Sequence, residues 1–339
     1  MEESEGGGLA IPIRSLRQKQ VPARLNDCEI MSDGAINDEG DIVHFALLAE
    51  TEPVTLEEAM KNSKWLEAMK DEIRSIEKNL TWELVELPRG KKAIGVKWVY
   101  KVKVNPKDEV VKYKARLVAR GFLQKHGVDY EEVFAPVARL ETVRVVVAHA
   151  SMQGWKILQL DVKSAFLNGE LEEEVYVEQP SGFVKQRSEN KVLKLRKALY
   201  GLKQARRAWN KKIDKSLINM GYVRCISEHG VYVKSGGGDV VMMCLYVDDL
   251  LVTGNNEEKV IEFKKKMMNV FEMTDLGEIS YFLGIEFQST KDGVLLSQKK
   301  YASDILKRFN LQHCNGAETP PEARDYGLIK MLMSQRLML

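Results

Sequence analysis

Two adjacent acids, Asp248 and Asp249, interrupt the apolar run VVMMCLYVDDLLVTG at residues 240–254. Asp is depleted in strands, and a buried, unpaired carboxylate is costly or is forced to protonate. Two in succession therefore need a compensating cation or exposure at a turn. Neighbouring side chains on a regular strand point to opposite faces, so both acids serve one site only at a bend. This places the doublet in a hairpin turn between strands 240–247 and 250–253. A third acid, Asp161, ends the apolar stretch of WKILQLDVKSAFL (155–167). Carboxylates from two strand ends suit Mg²⁺, a hard ion that takes oxygen ligands and completes its shell with phosphate and water. Two such ions stabilise the attacking and leaving oxygens of an in-line phosphoryl displacement. The plainer alternative is a polar hairpin turn, where Asp-Asp is unremarkable.

The elements that must position these acids read as an α+β chain. Residues 1–52 are rich in Gly, Asp and Asn without a sustained period, as in a flexible leader. Thr55 and Glu58 form a capping box ahead of an amphipathic helix within 53–81, with Leu66, Met69, Ile73, Ile76 and Leu80 on one stripe. From 94 to 104 the period becomes two: Val96, Trp98, Tyr100, Val102 and Val104 alternate with Lys97, Lys101 and Lys103. A turn at Asn105-Pro106-Lys107-Asp108 leads into a run with Lys112, Lys114 and Arg116 on one face, giving a β-hairpin with cations on both strands. Like charges across a hairpin repel, a cost that a bound polyanion relieves and a solvated hairpin tolerates. Trp98, Tyr100 and Tyr113 lie at alternating positions, as core residues do. Residues 143–150 fit a helix or a strand. Residues 198–220 read as a helix with Leu202, Ala205, Trp209, Ile213 and Leu217 inward; another helix spans about 257–271, a strand pair surrounds Asp292-Gly293, and a last helix runs from Tyr301 to Phe309.

The formal net charge of +2 hides an uneven distribution. Residues 1–88 carry 9 Lys/Arg against 19 Asp/Glu, whereas 89–125 and 185–215 each carry 12 against 2. Concentrated Lys and Arg release counterions from phosphates, so these tracts suit a polyanion; solvated surfaces are the bland reading. No stretch approaches the ~18 apolar residues of a membrane span, and the acidic, glycine-rich start MEESEGGG is unlike a secretory signal. The cysteines at 28, 225, 244 and 314 show no C-x-x-C pairing, which argues against zinc or a disulfide framework and for a reducing compartment.

Read in order, eight segments of residues 82–319 resemble the Copia-type LTR retrotransposon reverse transcriptases. They are WELVELPRGKKAIGVKWVYKVK, YKARLVARGF, DYEEVFAPVARLETVR, LQLDVKSAFLNGELEEEVYVEQPSGF, KALYGLKQARRAWN, LYVDDLLVTG, FEMTDLGEISYFLGIE and LLSQKKYASDIL. The segment RSLRQKQVPARLND also resembles the basic stretch between integrase and reverse transcriptase in such polyproteins. The resemblance implies a right-hand polymerase: an antiparallel-sheet palm, a fingers hairpin and a partial thumb. It implies Asp161, Asp248 and Asp249 as metal-binding acids, with Asp161 and Asp248 the firmer ligands, and two Mg²⁺ or Mn²⁺ ions with substrate. Lys114, Arg116, Phe166, Tyr200, Gly201 and Lys203 become dNTP-site residues, Phe166 lying under the sugar and excluding a ribose 2′-OH. Lys97, Lys101, Lys103, Lys112, Arg206, Arg207 and Lys211 become backbone contacts to an RNA or DNA template with its primer. Phe282, Leu283 and Gly284 resemble a primer-gripping hairpin. Arg206 stands where the family typically has Pro.

The same likeness implies an intracellular protein, in cytoplasmic particles or the nucleus. Residues 320–339 match nothing in the family, and no RNase H carboxylate cluster is visible. The chain thus reads as a polymerase segment of a longer element; a catalytically silent remnant that at most binds nucleic acid is the rival.

Overall fold

The computed structural model describes residues 52–53, 55–104, 109–291 and 293–314. The leader, the turn at 105–108 and the tail expected at 320–339 lie outside them. Of two compact units, one is described over 52–297 and the other over 298–314.

In chain order the elements are helices α1 (Leu56–Lys61) and α2 (Ser63–Lys78), strands β1 (Trp82–Val85), β2 (Val96–Val104) and β3 (Val110–Ala119), helix α3 (Leu140–Met152), strands β4 (Ile157–Val162), β5 (Glu170–Val177) and β6 (Val192–Lys197), helix α4 (Ala205–Asn219), strands β7 (Val223–Arg224), β8 (Val231–Gly236), β9 (Asp239–Tyr246) and β10 (Asp249–Gly254), helix α5 (Glu257–Val270), strands β11 (Met273–Glu278), β12 (Tyr281–Phe282), β13 (Ile285–Thr290) and β14 (Gly293–Ser297), and helix α6 (Lys299–Arg308). Helix α6 belongs to the second unit.

The main sheet is antiparallel in every described pairing, ordered β11-β4-β10-β9-β8-β7. Alternation along its strands gives it two faces. Leu160, Val162, Leu250 and Val252 join Trp209, Ile213, Leu217 and Phe263 of α4 and α5 in one core. Ile157 and Leu251, on the opposite face, join Val143 and Val147 of α3 and Phe282 and Phe287 of the three-stranded sheet β12-β13-β14. A second three-stranded sheet, β1-β6-β5, packs in a core with Leu117, Ala119 and Ile76.

The hairpin expected from the cationic alternation is β2-β3, and its register is informative. Lys101 faces Lys114 and Lys103 faces Lys112, so six cations with Lys97 and Arg116 share one face. The opposite face is core: Trp98, Tyr100 and Tyr113 pack against α1 and α2, with Trp65 edge-on to Tyr100 and Tyr113 at 5.3 and 4.8 Å.

The helix expected over 53–81 is two helices. The Thr55–Glu58 capping box forms, but Asn62 ends α1 and its side chain caps α2 through Lys64 N–H at 2.9 Å. The buried stripe of α2 is Trp65, Ala68, Met69, Glu72 and Ile76. It is rotated from the expected one, and Leu80 lies beyond the helix, exposed, at φ 52°. Residues 143–150 are helical, in α3. Leu202 is buried, yet it precedes α4. Against the expectation of no disulfides, Cys314 is disulfide-bonded, whereas Cys225 and Cys244 are free thiols; sequence spacing says nothing of which distant cysteines approach in space. No helix among the described residues is long and apolar enough to cross a membrane.

Candidate active site

Strands β9 and β10 are joined by the two-residue turn Val247-Asp248. Of these two residues only Val247 has positive φ, 56°, the position such a hairpin turn usually gives to Gly. A β-branched residue there is strained, and the surroundings hold it. The Trp209 indole N–H donates to the Val247 carbonyl at 2.6 Å, and Val162 N–H donates to the Asp248 carbonyl at 2.9 Å. The turn thus comes one residue earlier than expected: Asp248 is in it, whereas Asp249 is already the first residue of β10, paired with Tyr246.

Asp249 pairs directly with Asp161 across β10 and β4, which puts both side chains on the same face of the sheet. Asp161 is flanked on its other side by Thr274 of β11. Burial, then the charges of Asp248 and Asp161, pushes Asp249 up to about 6, and a hydrogen bond with Gln159 opposes this. Burial also raises Asp248, with the Asp161 charge adding to it and Arg116 and Lys114 opposing.

These half-buried carboxylates repel one another and have lost water, a cost that a divalent cation relieves. Among the described residues no group of three or more His, Cys, Asp or Glu side chains is placed to hold a metal ion, the three acids here included. Mg²⁺ is ordinarily held by one or two carboxylates plus substrate phosphates, and the oxygen donors of this site are of that kind.

Lys114, Arg116 and Tyr200 are within electrostatic reach of the acids. Phe166 follows β4 in a 3-10 turn, Ala165–Asn168, and its ring is 5.0 Å from that of Tyr200. The Arg116 guanidinium stacks over Tyr200 at 4.2 Å. Lys114 is held down to about 8 by burial, then by Arg116 and Lys103, while Glu72 and Asp161 oppose. Burial pushes the Tyr200 hydroxyl up to about 12. Lys101, Lys103, Lys114 and Arg116 line a hollow of about 300 Å³ with Val99 and Val102. Gly201 works through its backbone: at φ 88° its missing Cβ would sit 2.2 Å from the Ala119 carbonyl oxygen, and Ala119 N–H donates to Tyr200 O at 2.7 Å.

Not every expected residue joins this centre. Lys203 donates to the Tyr130 hydroxyl at 3.2 Å and lies over its ring. Lys211 is paired with Glu172 at 2.7 Å. Arg206 is exposed, and Arg207 donates to the Phe134 carbonyl at 3.4 Å, both in the first turn of α4. With no acid in that turn, the two cations add to the positive end of the helix dipole, an arrangement that favours an anion. Phe282 is a core residue, 2% exposed and edge-on to Tyr246; its aromatic character signalled packing. Leu283 and Gly284, with φ of 51° and 81°, form the hairpin turn beyond it.

Glu72 is the site residue that sequence reading missed. It is buried on α2, accepts from Leu117 N–H at 3.3 Å, and feels the charges of Arg116 and Lys114. The available signal was its spacing: Trp65, Met69, Glu72 and Ile76 fall at helical intervals, with a charge among apolar residues.

Residues 79–323 match the family model described as reverse transcriptase (RNA-dependent DNA polymerase). The chain is 39% identical over 277 residues to the retrovirus-related Pol polyprotein from transposon TNT 1-94 of Nicotiana tabacum, which covers 80% of this chain and 21% of that protein. It is 41% identical over 276 residues to the corresponding polyprotein from transposon RE1 of Arabidopsis thaliana, 81% of this chain and 19% of the relative. A putative transposon Ty5-1 protein of Saccharomyces cerevisiae is 34% identical over 162 residues, 48% of this chain and 53% of its own length. The chain spans about a fifth of the length of the plant polyproteins it matches. With the family model covering well over half of it, the chain belongs to the reverse transcriptase (RNA-dependent DNA polymerase) family, among the Copia-type retrotransposon Pol proteins.

Proposed function

We propose that this chain extends a primer on an RNA or DNA template, transferring a nucleotide from a dNTP to the primer 3′-hydroxyl. The six-stranded sheet serves as palm and the β2-β3 hairpin as fingers, with the residues after β14 beginning the thumb. The observation that carries the reading is the pairing of Asp161 with Asp249 beside the Asp248 turn, within electrostatic reach of Lys114 and Arg116.

Asp161 and Asp248 would hold the divalent ions, which when bound supply Lewis acidity to the attacking and leaving oxygens. Asp249, bonded to Gln159, supports them. Lys114 and Arg116 bind and orient the triphosphate, where fixed cations stabilise the charge that develops on transfer. Tyr200 fixes the direction of the Arg116 guanidinium through its ring face. Phe166 lies under the sugar and excludes a 2′-hydroxyl. The exposed cations Lys97, Lys101, Lys103, Lys112 and Arg206, with the half-buried Arg207, contact the nucleic-acid backbone without reading sequence.

Primer extension on an RNA template with Mg²⁺ or Mn²⁺ tests this. Extension that is abolished in Asp248→Asn, with template–primer binding retained, supports the enzyme. Binding by the unmodified chain with no extension under either metal supports a silent remnant.

A further inference from the structure

Helix α2 precedes the residues matched by the family model, yet one of its edges touches both halves of the candidate site. Glu72, Ser75 and Lys78 are spaced three apart, on adjacent turns of the helix. Among the described residues strand β3 pairs only with β2, and the N–H groups of its other edge have no strand partner there. The Glu72 carboxylate takes the place of a third strand there, accepting from Leu117 N–H at 3.3 Å. Leu117 adjoins Arg116, so fixing this peptide fixes the path of the strand that aims Arg116 and Lys114.

One turn on, Ser75 Oγ lies 3.2 Å from Ser164 Oγ. Ser164 has φ 50° and sits between Asp161 and Phe166. At the end of the helix, Lys78 pairs with Glu272 at 2.8 Å, and Glu272 also holds Lys163 at 3.3 Å. Ile76 packs between these contacts in the same core as Leu117, Ala119 and Leu167.

Glu72 is expensive where it is. Burial raises its carboxyl above the usual range, and the Arg116 charge opposes this. A helix needed only for packing gains more from Leu or Met at this position.

We propose that α2 is a strut coupling the dNTP-binding cations to the catalytic strand, with Glu72 as the positioning residue that sets the aim of Arg116 and Lys114, Ser75 as its anchor on the segment after Asp161, and Lys78 joined to that segment through Glu272. This inference rests on the assignment of Lys114 and Arg116 to the triphosphate. It names a residue for dNTP affinity that touches neither nucleotide nor metal.

The test uses the full chain with a template and a dideoxy-terminated primer, so that dNTP binding is read without turnover. Glu72→Gln keeps an acceptor for Leu117 N–H but removes the charge; Glu72→Ala removes both. We expect dNTP affinity to fall about threefold in the first and about tenfold in the second, as for loss of a hydrogen bond to a charged group. Template–primer affinity stays within about twofold, since the exposed phosphate contacts are untouched. The melting temperature of Glu72→Gln stays level or rises, because a buried charge has gone. If Glu72→Ala does not fold, Glu72→Gln decides. Unchanged dNTP affinity in folded Glu72 variants overturns the strut and leaves the polymerase reading standing. An equal loss of template–primer and dNTP affinity also overturns it, because general loosening then explains both. If the unmodified chain binds no dNTP at all, the polymerase reading fails and the strut with it.

Discussion

The indole of Trp209 donates its N–H to the carbonyl oxygen of Val247 at 2.6 Å, pinning from helix α4 the residue that precedes the Asp248-Asp249 pair. Trp209→Phe keeps the aromatic packing against Phe271, whose ring is 5.2 Å away, but leaves that carbonyl without its donor. The expected loss of stability is about 1 kcal/mol, the net worth of one part-buried hydrogen bond. Extension should fall about tenfold or more, because the doublet must be held to within a fraction of an ångström. Thermal melting and single-nucleotide extension measured together check this. Activity that tracks stability alone contradicts a role for the turn.

Removing one carboxylate should stabilise the metal-free protein. Asp249 is pushed up to about 6 in the fold, above its unfolded value of about 3.9. The folded state therefore keeps the Asp249 proton after the unfolded chain has lost it, and stability falls as pH rises across that interval. In chelator, Asp249→Asn is expected to gain about 1–2 kcal/mol above pH ~6, allowing for solvent screening of a half-buried group, and nothing below pH ~4. Added Mg²⁺ should then stabilise the unmodified chain more than the variant. Denaturant melts across this pH range provide the check; an unchanged or lower stability at neutral pH contradicts the mutual repulsion.

Lys114 titrates within the working range. With its ammonium held down to about 8, the charge is present below that pH and lost above it. The KM for dNTP should rise as pH passes from 8 to about 9.5, where a group of pKa 8 is mostly neutral. Lys114→Arg keeps its charge throughout and should flatten this limb. Steady-state kinetics over pH distinguish the two, and a parallel rise in both proteins assigns the effect to another group.

Shortening Phe166 should admit ribonucleotides. Its ring is tilted against that of Tyr200 and sits on the turn leaving β4. A Phe166→Val variant opens a volume where a 2′-hydroxyl would lie, and discrimination between dNTP and rNTP is expected to drop by about tenfold or more. Comparing kcat/KM for the matched pair measures it; undiminished discrimination removes Phe166 from that role.

The parts of this site legible from sequence were those governed by local rules. An acid pair inside an apolar run pointed to a turn, and there is one, a residue earlier than expected, with Asp249 already in β10; alternating cations had to share one hairpin face, and they do. The pairing of Asp161 with Asp249 was not legible in this way, because it depends on β4 lying beside β10, and these strands are separated in the chain by β5 to β9. Glu72 escaped for a different reason. Hydrophobic periodicity assigns inward positions to apolar residues, and a buried carboxylate looks like a solvent-facing one until its partners on β3 are known. For Phe282 the motif likeness pointed to a hairpin, which forms, while the burial of this side chain in the core was not read from it.

The backbone-to-backbone approach at Gly201 limits which part of the molecule can move. The Ala119 peptide is bonded to Tyr200, Arg120 N–H reaches Gly95 O at 2.9 Å, and a Cβ on Gly121 would fall 2.0 Å from Gly201 O. The root of the hairpin is therefore clamped with no slack for a hinge. Freedom to bend is thereby left to the outer part of the hairpin, toward the exposed Val110 and Val111.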